Sequence, residues 1–352
     1  MSEFHKLPIK NVNQETNDCV SIAFEVPENL KSEFEFTQGQ YLTFKINYEG
    51  EELRRSYSIC TSPFDNELAI AVKRIPKGKI SNFLNEKANQ LDTLEVMPPT
   101  GSFFAELNSS NKKHYVAFAA GSGITPIMSI VKATLDKEPE SKFTLFYGNK
   151  TPDTVIFKEE LDKLAADHER FNLVNIYSRF NTGDDLLNGR IDTNKAMKLI
   201  DKYVTDDLSK EFFMCGPEEM TLGVSEKLKE NYDNNSIHIE LFTTPVQKEQ
   251  PMKTTTASGV SKVTVIIDGE ETELEIDKNG DAILDAALDA GLDVPFACKG
   301  AVCCTCKAKI IEGDVEMDMN YALSDAEIDE GFALTCQSHP RSEKVVVDYD
   351  EI

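Results

Sequence analysis

Basic residues are in short supply in this sequence. Across 352 residues, 37 Lys and Arg face 61 Asp and Glu, leaving a formal net charge of -24. A protein that grips a phosphate backbone needs a cationic surplus to displace counterions, so nucleic acid is not an expected partner. Long apolar runs are missing too: the longest, Tyr115 to Ala120, is far too short to cross a bilayer, and Met1 to Lys10 holds no apolar leader core. A cytoplasmic protein with no membrane partner is expected. Internal repeats are absent, and the only stretch without apolar periodicity is residues 244–261, which reads as a linker.

What is present divides the chain. With 40% hydrophobic residues, 352 positions are too many for one ordinary core and enough for two or three. Residues 1–107 carry short β-rich runs, such as Tyr41 to Ile46 and Leu68 to Val72, punctuated by Gly39, Gly50, Pro63 and Gly78; that pattern predicts an antiparallel β-barrel. Residues 108–243 alternate apolar strands (Tyr115–Ala119, Phe143–Tyr147, Leu173–Tyr177, Phe212–Cys215) with helical stretches, the signature of a doubly wound α/β sheet. Beyond the linker, residues 262–352 open on a hairpin, Val263–Ile267 and Glu271–Ile276 across Asp268-Gly269, followed by a helix from Ala282 to Ala290. This segment has 22 acidic against 7 basic residues, a balance of -15, which suits either a steering surface for a basic redox partner or a solubilising one.

Of eight cysteines, five crowd into the last 60 residues. Cys298, Cys303 and Cys306 give C-x4-C-x2-C, and Cys336 follows with 29 residues between it and Cys306, the spacing of a plant-type [2Fe-2S] cluster. Three thiolates on one tight loop wrap two irons only where the backbone turns sharply, and Gly300 with Ala301 keeps that loop small. Cys304 breaks the register and reads as a non-ligating neighbour. A structural zinc site, or a redox-sensing module, is the alternative, but zinc prefers paired C-x2-C knuckles and only one such pair exists here.

Three further segments have the chemistry of nucleotide sites. Arg55-Ser-Tyr-Ser58 offers a guanidinium for a phosphate, an aromatic face for a flavin ring at Tyr57, and a hydroxyl at Ser58. Gly78 to Ser81 precedes a helix read as Asn82 to Lys87 with Ser81 as its N-cap, a second phosphate position that favours FAD over FMN. Ala120-Gly-Ser-Gly-Ile-Thr-Pro126 follows a strand and opens a helix, although proline stands where the dinucleotide fingerprint has its third glycine.

Arg55-Ser-Tyr-Ser58, Gly121 to Pro126 and Met214-Cys-Gly-Pro217 occur in the order found in the ferredoxin-NADP reductase superfamily, which residues 1 to about 245 resemble. Pro295 to Cys306 and Leu334-Thr-Cys336 resemble the plant-type ferredoxins, whose fold is a β-grasp. Together the chain is similar to hydroxylase reductases of the phenylacetyl-CoA epoxidase kind. The resemblance implies FAD held by Arg55, Tyr57 and Ser58, with Gly78, Ile80 and Ser81 near its pyrophosphate and Glu240 and Phe242 facing the flavin. It further implies Gly121, Ser122 and Gly123 as the nicotinamide-dinucleotide loop, and Cys215, Gly216 and Pro217 beside the nicotinamide. Tyr57, Ser58 and Cys215 are then the catalytic positions, Cys215 packing the hydride site without acting as a nucleophile. Ser178 and Arg179, assisted by Arg190, suit the 2'-phosphate of NADPH better than the free ribose of NADH. The implied activity is electron transfer from NADPH through FAD and the cluster to an oxygenase, a diiron epoxidase first, with a desaturase, steroid hydroxylase or ring-hydroxylating dioxygenase as alternatives.

Overall fold

A computed structural model describes residues 3–242 and 259–351. The N-terminal module is built on strands β1 (His5–Thr16), β2 (Cys19–Phe24), β3 (Tyr41–Tyr48), β4 (Glu51–Ser58), β5 (Leu68–Lys73) and β6 (Thr93–Val96). They form an antiparallel sheet in the order β4-β3-β6-β1-β2-β5, and an Ile59–Ile70 bridge brings the end of β4 back to β5 to close the barrel. Helix α1 (Lys79–Lys87) plugs it with Ile80 and Leu84. Strands β2 and β5 are buried on both faces because their sequences alternate large and small. Val20, Ile22, Phe24, Leu68, Ile70 and Val72 fill the barrel, whereas Cys19, Ala23, Ala69 and Ala71 lie flat against the next module.

That module alternates β7 (Lys113–Ala120), α2 (Ile124–Lys137), β8 (Lys142–Asn149), α3 (Lys158–Asp167), β9 (Phe171–Tyr177), α4 (Thr193–Tyr203), β10 (Ser209–Cys215), α5 (Glu218–Lys229) and β11 (Ile237–Glu240). All pairings are parallel, in the order β11-β10-β7-β8-β9. The order in which strands are added reverses between β7 and β10, so the carboxyl ends of those two parallel strands flank the crevice where such sheets take ligands.

The C-terminal module contains β12 (Val260–Ile267), β13 (Glu270–Asp277), α6 (Ile283–Asp289), β14 (Lys307–Glu312), β15 (Val315–Met317), α7 (Asp325–Asp329), β16 (Phe332–Leu334), β17 (Ser338–Pro340) and β18 (Lys344–Asp348). A mixed sheet ordered β13-β12-β18-β14-β16 holds α6 against one face through Ile283, Leu284 and Ala287. Asp268 and Gly269 both have positive φ, as the tight hairpin turn between β12 and β13 requires.

Two sequence expectations need correcting. Most of the predicted linker, residues 244–258, lies outside the described residues, but Val260 and Ser261 belong to β12, because pairing with Asp277 and Ile276 extends that strand. Ser81 is not an N-cap: α1 begins at Lys79 behind Gly78, and the Ser81 hydroxyl instead accepts the Ile75 amide at 3.3 Å.

Candidate functional site

Register on the barrel sets Tyr57 opposite Leu42 and Ser58 opposite Tyr41. Ser58 is buried, and its hydroxyl donates to Glu240 Oε2 at 3.2 Å, tying the end of β4 to the end of β11 across 182 positions of sequence. Burial pushes the Glu240 carboxyl up to about 8, against the pull of that hydrogen bond. The Tyr57 phenol is likewise raised by burial. Arg55 is exposed, and among the described residues its guanidinium donates to the Arg54 carbonyl at 2.6 Å. Ile80 is buried in the barrel core, so at α1 only its backbone is offered outward, beside Gly78 and Ser81. Phe242, just past β11, is 43% exposed.

Across the crevice, two loops meet with no space between them. A Cβ on Gly123 would sit 2.0 Å from the Cys215 carbonyl oxygen, so that position excludes a side chain, and one on Gly216 would sit 3.1 Å from the Ala120 Cβ, a tight approach. Gly121 has φ +56, and its carbonyl accepts the Tyr147 hydroxyl at 3.0 Å. Pro126 sits in the first turn of α2, where it closes the loop that a third glycine would have opened. Cys215 is fully buried opposite Glu240 in the β10–β11 register, and burial pushes its thiol far up, which removes it as a nucleophile. Pro217 precedes α5. At the far edge, Ser178, Arg179 and Arg190 are exposed; Gly189 N donates to the Tyr177 carbonyl at 2.9 Å, bringing the Arg190 loop to the strand end that carries Ser178 and Arg179.

In the C-terminal module the four spaced thiols stand as two pairs. Cys303 Sγ lies 3.1 Å from Cys298 Sγ, and the Cys306 thiol hydrogen-bonds Cys336. The bond from Cys303 brings Cys298 down to about 6, and the bond from Cys306 lowers Cys336. Gly300 N points at Cys298 Sγ at 3.3 Å, and the left-handed residues are Lys299 and Ala301, with φ 50 and 62. Loop amides are thereby aimed at sulfur. Among the described residues, no group of three or more His, Cys, Asp or Glu converges on a single metal. Two thiolates per metal, with amide donors around them, fit a two-iron cluster whose bridging sulfides complete the coordination, and do not fit a four-thiolate zinc centre.

The three modules meet at a cleft of about 170 Å³, lined among others by Tyr41, Phe103, His238, Glu240, Cys303 and Cys304. Sequence reasoning missed several of these contacts. Tyr41, from the barrel, packs on Ala297 and Cys303; its hydroxyl accepts the Cys304 amide at 3.0 Å and meets Thr305 Oγ1 at 3.1 Å. Arg54, the neighbour of the expected flavin ligand Arg55, reaches Asp293 Oδ1 at 3.1 Å. Only strand alternation hinted at this: adjacent arginines on β4 must face opposite sides.

Comparison with known proteins matches three family models: an oxidoreductase FAD-binding domain over residues 6–104, an oxidoreductase NAD-binding domain over 118–226, and a 2Fe-2S iron-sulfur cluster binding domain over 265–341. The chain is 42% identical to one of the subunits of the 1,2-phenylacetyl-CoA epoxidase of Escherichia coli (strain K12), covering 99% of each chain. It is 31% identical to the ferredoxin reductase component of 3-ketosteroid-9-alpha-monooxygenase from Rhodococcus rhodochrous, over 97% of this chain and 96% of that one. Among solved structures, phthalate dioxygenase reductase aligns with TM-score 0.57 at 22% identity over 98% of both chains. An intact type IV self-sufficient cytochrome P450 monooxygenase aligns at TM-score 0.71 and 20% identity; this chain spans 42% of that longer one, and both likenesses speak to fold.

Proposed function

This chain belongs to the reductase components that join FAD-binding, NAD-binding and 2Fe-2S domains in one polypeptide, and on that premise we propose that it supplies electrons from NADPH to the oxygenase component of a phenylacetyl-CoA epoxidase-type diiron enzyme. The carrying observation is the single cleft lined by both Glu240, the partner of Ser58, and the Cys303–Cys304 loop. Bound FAD would supply acceptance of one hydride, that is two electrons, from the nicotinamide, and a bound [2Fe-2S] cluster would supply transfer of those electrons one at a time.

The chain's own residues position those groups. Arg55 would neutralise a flavin phosphate, the first-turn amides of α1 at Ile80 and Ser81, beside Gly78, would receive the second, and Tyr57 would lie against the ring. Below about pH 8, Glu240 keeps its proton beside Ser58 Oγ, a proton store at the hydride site. The Gly121–Gly123 loop and the Cys215–Pro217 segment receive the dinucleotide, with Cys215 as apolar packing and Phe242 over the flavin side. Ser178, Arg179 and Arg190 meet the 2'-phosphate, and Cys298, Cys303, Cys306 and Cys336 hold the irons. Eight unpaired thiols support a reducing, cytoplasmic location, and no described helix is long and apolar enough to cross a membrane.

Anaerobic titration of the flavin- and iron-loaded protein with NADPH, in the presence of the epoxidase oxygenase component and phenylacetyl-CoA, tests this. Cluster bleaching followed by product is expected. A preparation that binds neither flavin nor iron and sulfide refutes the reading, and equal efficiency with NADH removes the 2'-phosphate assignment. A second acceptor, a steroid hydroxylase oxygenase, is favoured by the 31% relative and would be recognised by turnover with that component alone.

A further inference from the structure

Within the C-terminal module the four thiols lie at different depths. Cys306 and Cys336 sit in the module's own core, among Ala301, Leu334 and Tyr349. Cys303, with Cys298 against it, belongs to a small satellite cluster whose other members are Ala297 and the barrel's Tyr41. The shallow side of the thiol loop is therefore the side the barrel covers.

One ion pair bridges the two modules beside that loop. The Arg54 side chain is only 8% exposed, lying between the Phe4 ring at 5.1 Å and the Phe296 ring at 4.4 Å, with its Nε on Glu52 at 3.1 Å and its Nη2 on Asp293 at 3.1 Å. Phe4 and Glu52 belong to the barrel, Phe296 and Asp293 to the C-terminal module. Separation of the modules thus removes half of the Arg54 partners and leaves the other half, so Arg54 keeps Glu52 as a counterion while the Asp293 carboxylate passes to solvent. Asp293 is itself 82% exposed, and water and salt reach the bond from that side.

We propose that Arg54 is a releasable latch, and that the face it holds, Asp293 and Phe296 beside the Cys303–Thr305 loop, is the docking surface for an acceptor protein that presents its own cationic patch. This rests on the reading of the chain as a reductase. Barrel and acceptor then occupy the same face in turn. The partner's charge follows from the notch, which is built around a guanidinium, and from a module with 22 acidic against 7 basic residues. Lys299, whose ammonium stands 4.9 Å from the Phe296 ring centre, is paired with Asp285 at 2.7 Å.

Small-angle scattering of the full-length, flavin- and iron-loaded protein tests the latch, and reduction of cytochrome c, a basic one-electron protein, serves as the probe acceptor. Arg54→Gln is expected to enlarge the radius of gyration at low salt to the value wild type reaches only at high salt. Because the competing barrel contact is gone, its KM for cytochrome c falls about three-fold. Asp293→Lys also opens the molecule, but raises that KM by at least as much, since the notch now repels the probe. If Arg54→Gln does not fold, Asp293→Ala, at a solvent-exposed position, must show the same expansion. Unchanged scattering in the folded variants overturns the latch, and an unchanged KM in Asp293→Lys overturns the docking face. Loss of NADPH-dependent ferricyanide reduction in wild type itself would instead sink the reductase reading.

Discussion

The barrel touches its two neighbours in different ways. Against the α/β module it shares one continuous core, in which Cys19, Ala23, Cys60, Ala69 and Ala71 pack with Ile127, Val131 and Tyr147. A buried hydrogen bond reinforces it, from Ser129 Oγ to the Thr61 carbonyl at 2.6 Å. Phe103 and Phe213 add an edge-to-face contact at 5.5 Å, worth about 1 kcal/mol beyond area burial. Against the C-terminal module the side-chain contacts among the described residues are few and mostly polar: Tyr41 and Thr43 on the thiol loop, the Arg54 notch and Ser102. Hydride transfer tolerates little misplacement, and the interface that frames it is a fused core. Delivery of single electrons to an outside protein needs the opposite, a contact that lets go.

The sharpest way to break that contrast is to disable one side alone. Cys336→Ser removes the only thiolate that comes from outside the 298–306 loop, and electron delivery to a protein acceptor should fall to background. NADPH–ferricyanide activity, which uses only the fused half, should persist. Loss of both would mean that the two halves are not separable. Gly123→Ala attacks the fused half. Its new methyl would meet the Cys215 carbonyl at 2.0 Å, so the dinucleotide loop must move away from the β10 end. A shift of about 1 Å at a hydride site costs on the order of 10²-fold in rate, and here ferricyanide and protein reduction should fall together. Steady-state rates with both acceptors check this, and unimpaired turnover would show that the loops are not in contact.

These predictions also mark what the chain makes legible from its order of residues. Cys298, Cys303, Cys306 and Cys336 are readable because spacing in a loop is itself the ligand geometry. The alternating strand texture yields the barrel and the parallel sheet for the same local reason. Glu240 can be named only by resemblance, since its hydrogen bond to Ser58 spans 182 positions. Arg54 is invisible beside Arg55: pattern gives the alternation of faces, but Asp293, 239 residues away, decides which face is occupied. At Ser81 local propensity points to a cap, and Gly78 takes that place because the Ser81 hydroxyl is already engaged by Ile75.

Glu240, at the fused interface, gives a subtler test. Its carboxyl titrates near 8 in the folded chain against an ordinary 4.5, so the unfolded chain loses this proton first. Stability therefore falls as pH rises from about 4.5 to about 8, with the penalty complete above that range. Glu240→Gln keeps a hydrogen-bonding partner for Ser58 and removes the titration. The melting temperature of the variant relative to wild type should climb between pH 5 and pH 8.5. A constant difference would mean that Glu240 is already ionised, and the Ser58 pair would then hold no proton at neutral pH.

The smallest expected effect probes the releasable contact. Tyr41 Oη accepts the Cys304 amide at 3.0 Å and pairs with Thr305 Oγ1 at 3.1 Å, inside a contact that its ring otherwise makes through apolar atoms. Tyr41→Phe keeps the ring and deletes the hydroxyl, leaving the Cys304 amide to find water when the modules part and nothing when they are docked. One such hydrogen bond contributes about 1 kcal/mol, or roughly a five-fold shift toward the open form. The salt concentration at which the radius of gyration reaches half its expansion should drop accordingly. The same deletion inside the fused core would show no such salt dependence, because no open form competes there. If Tyr41→Phe opens at the wild-type salt concentration, the hydroxyl does not hold the loop, and the Arg54 notch carries the contact alone.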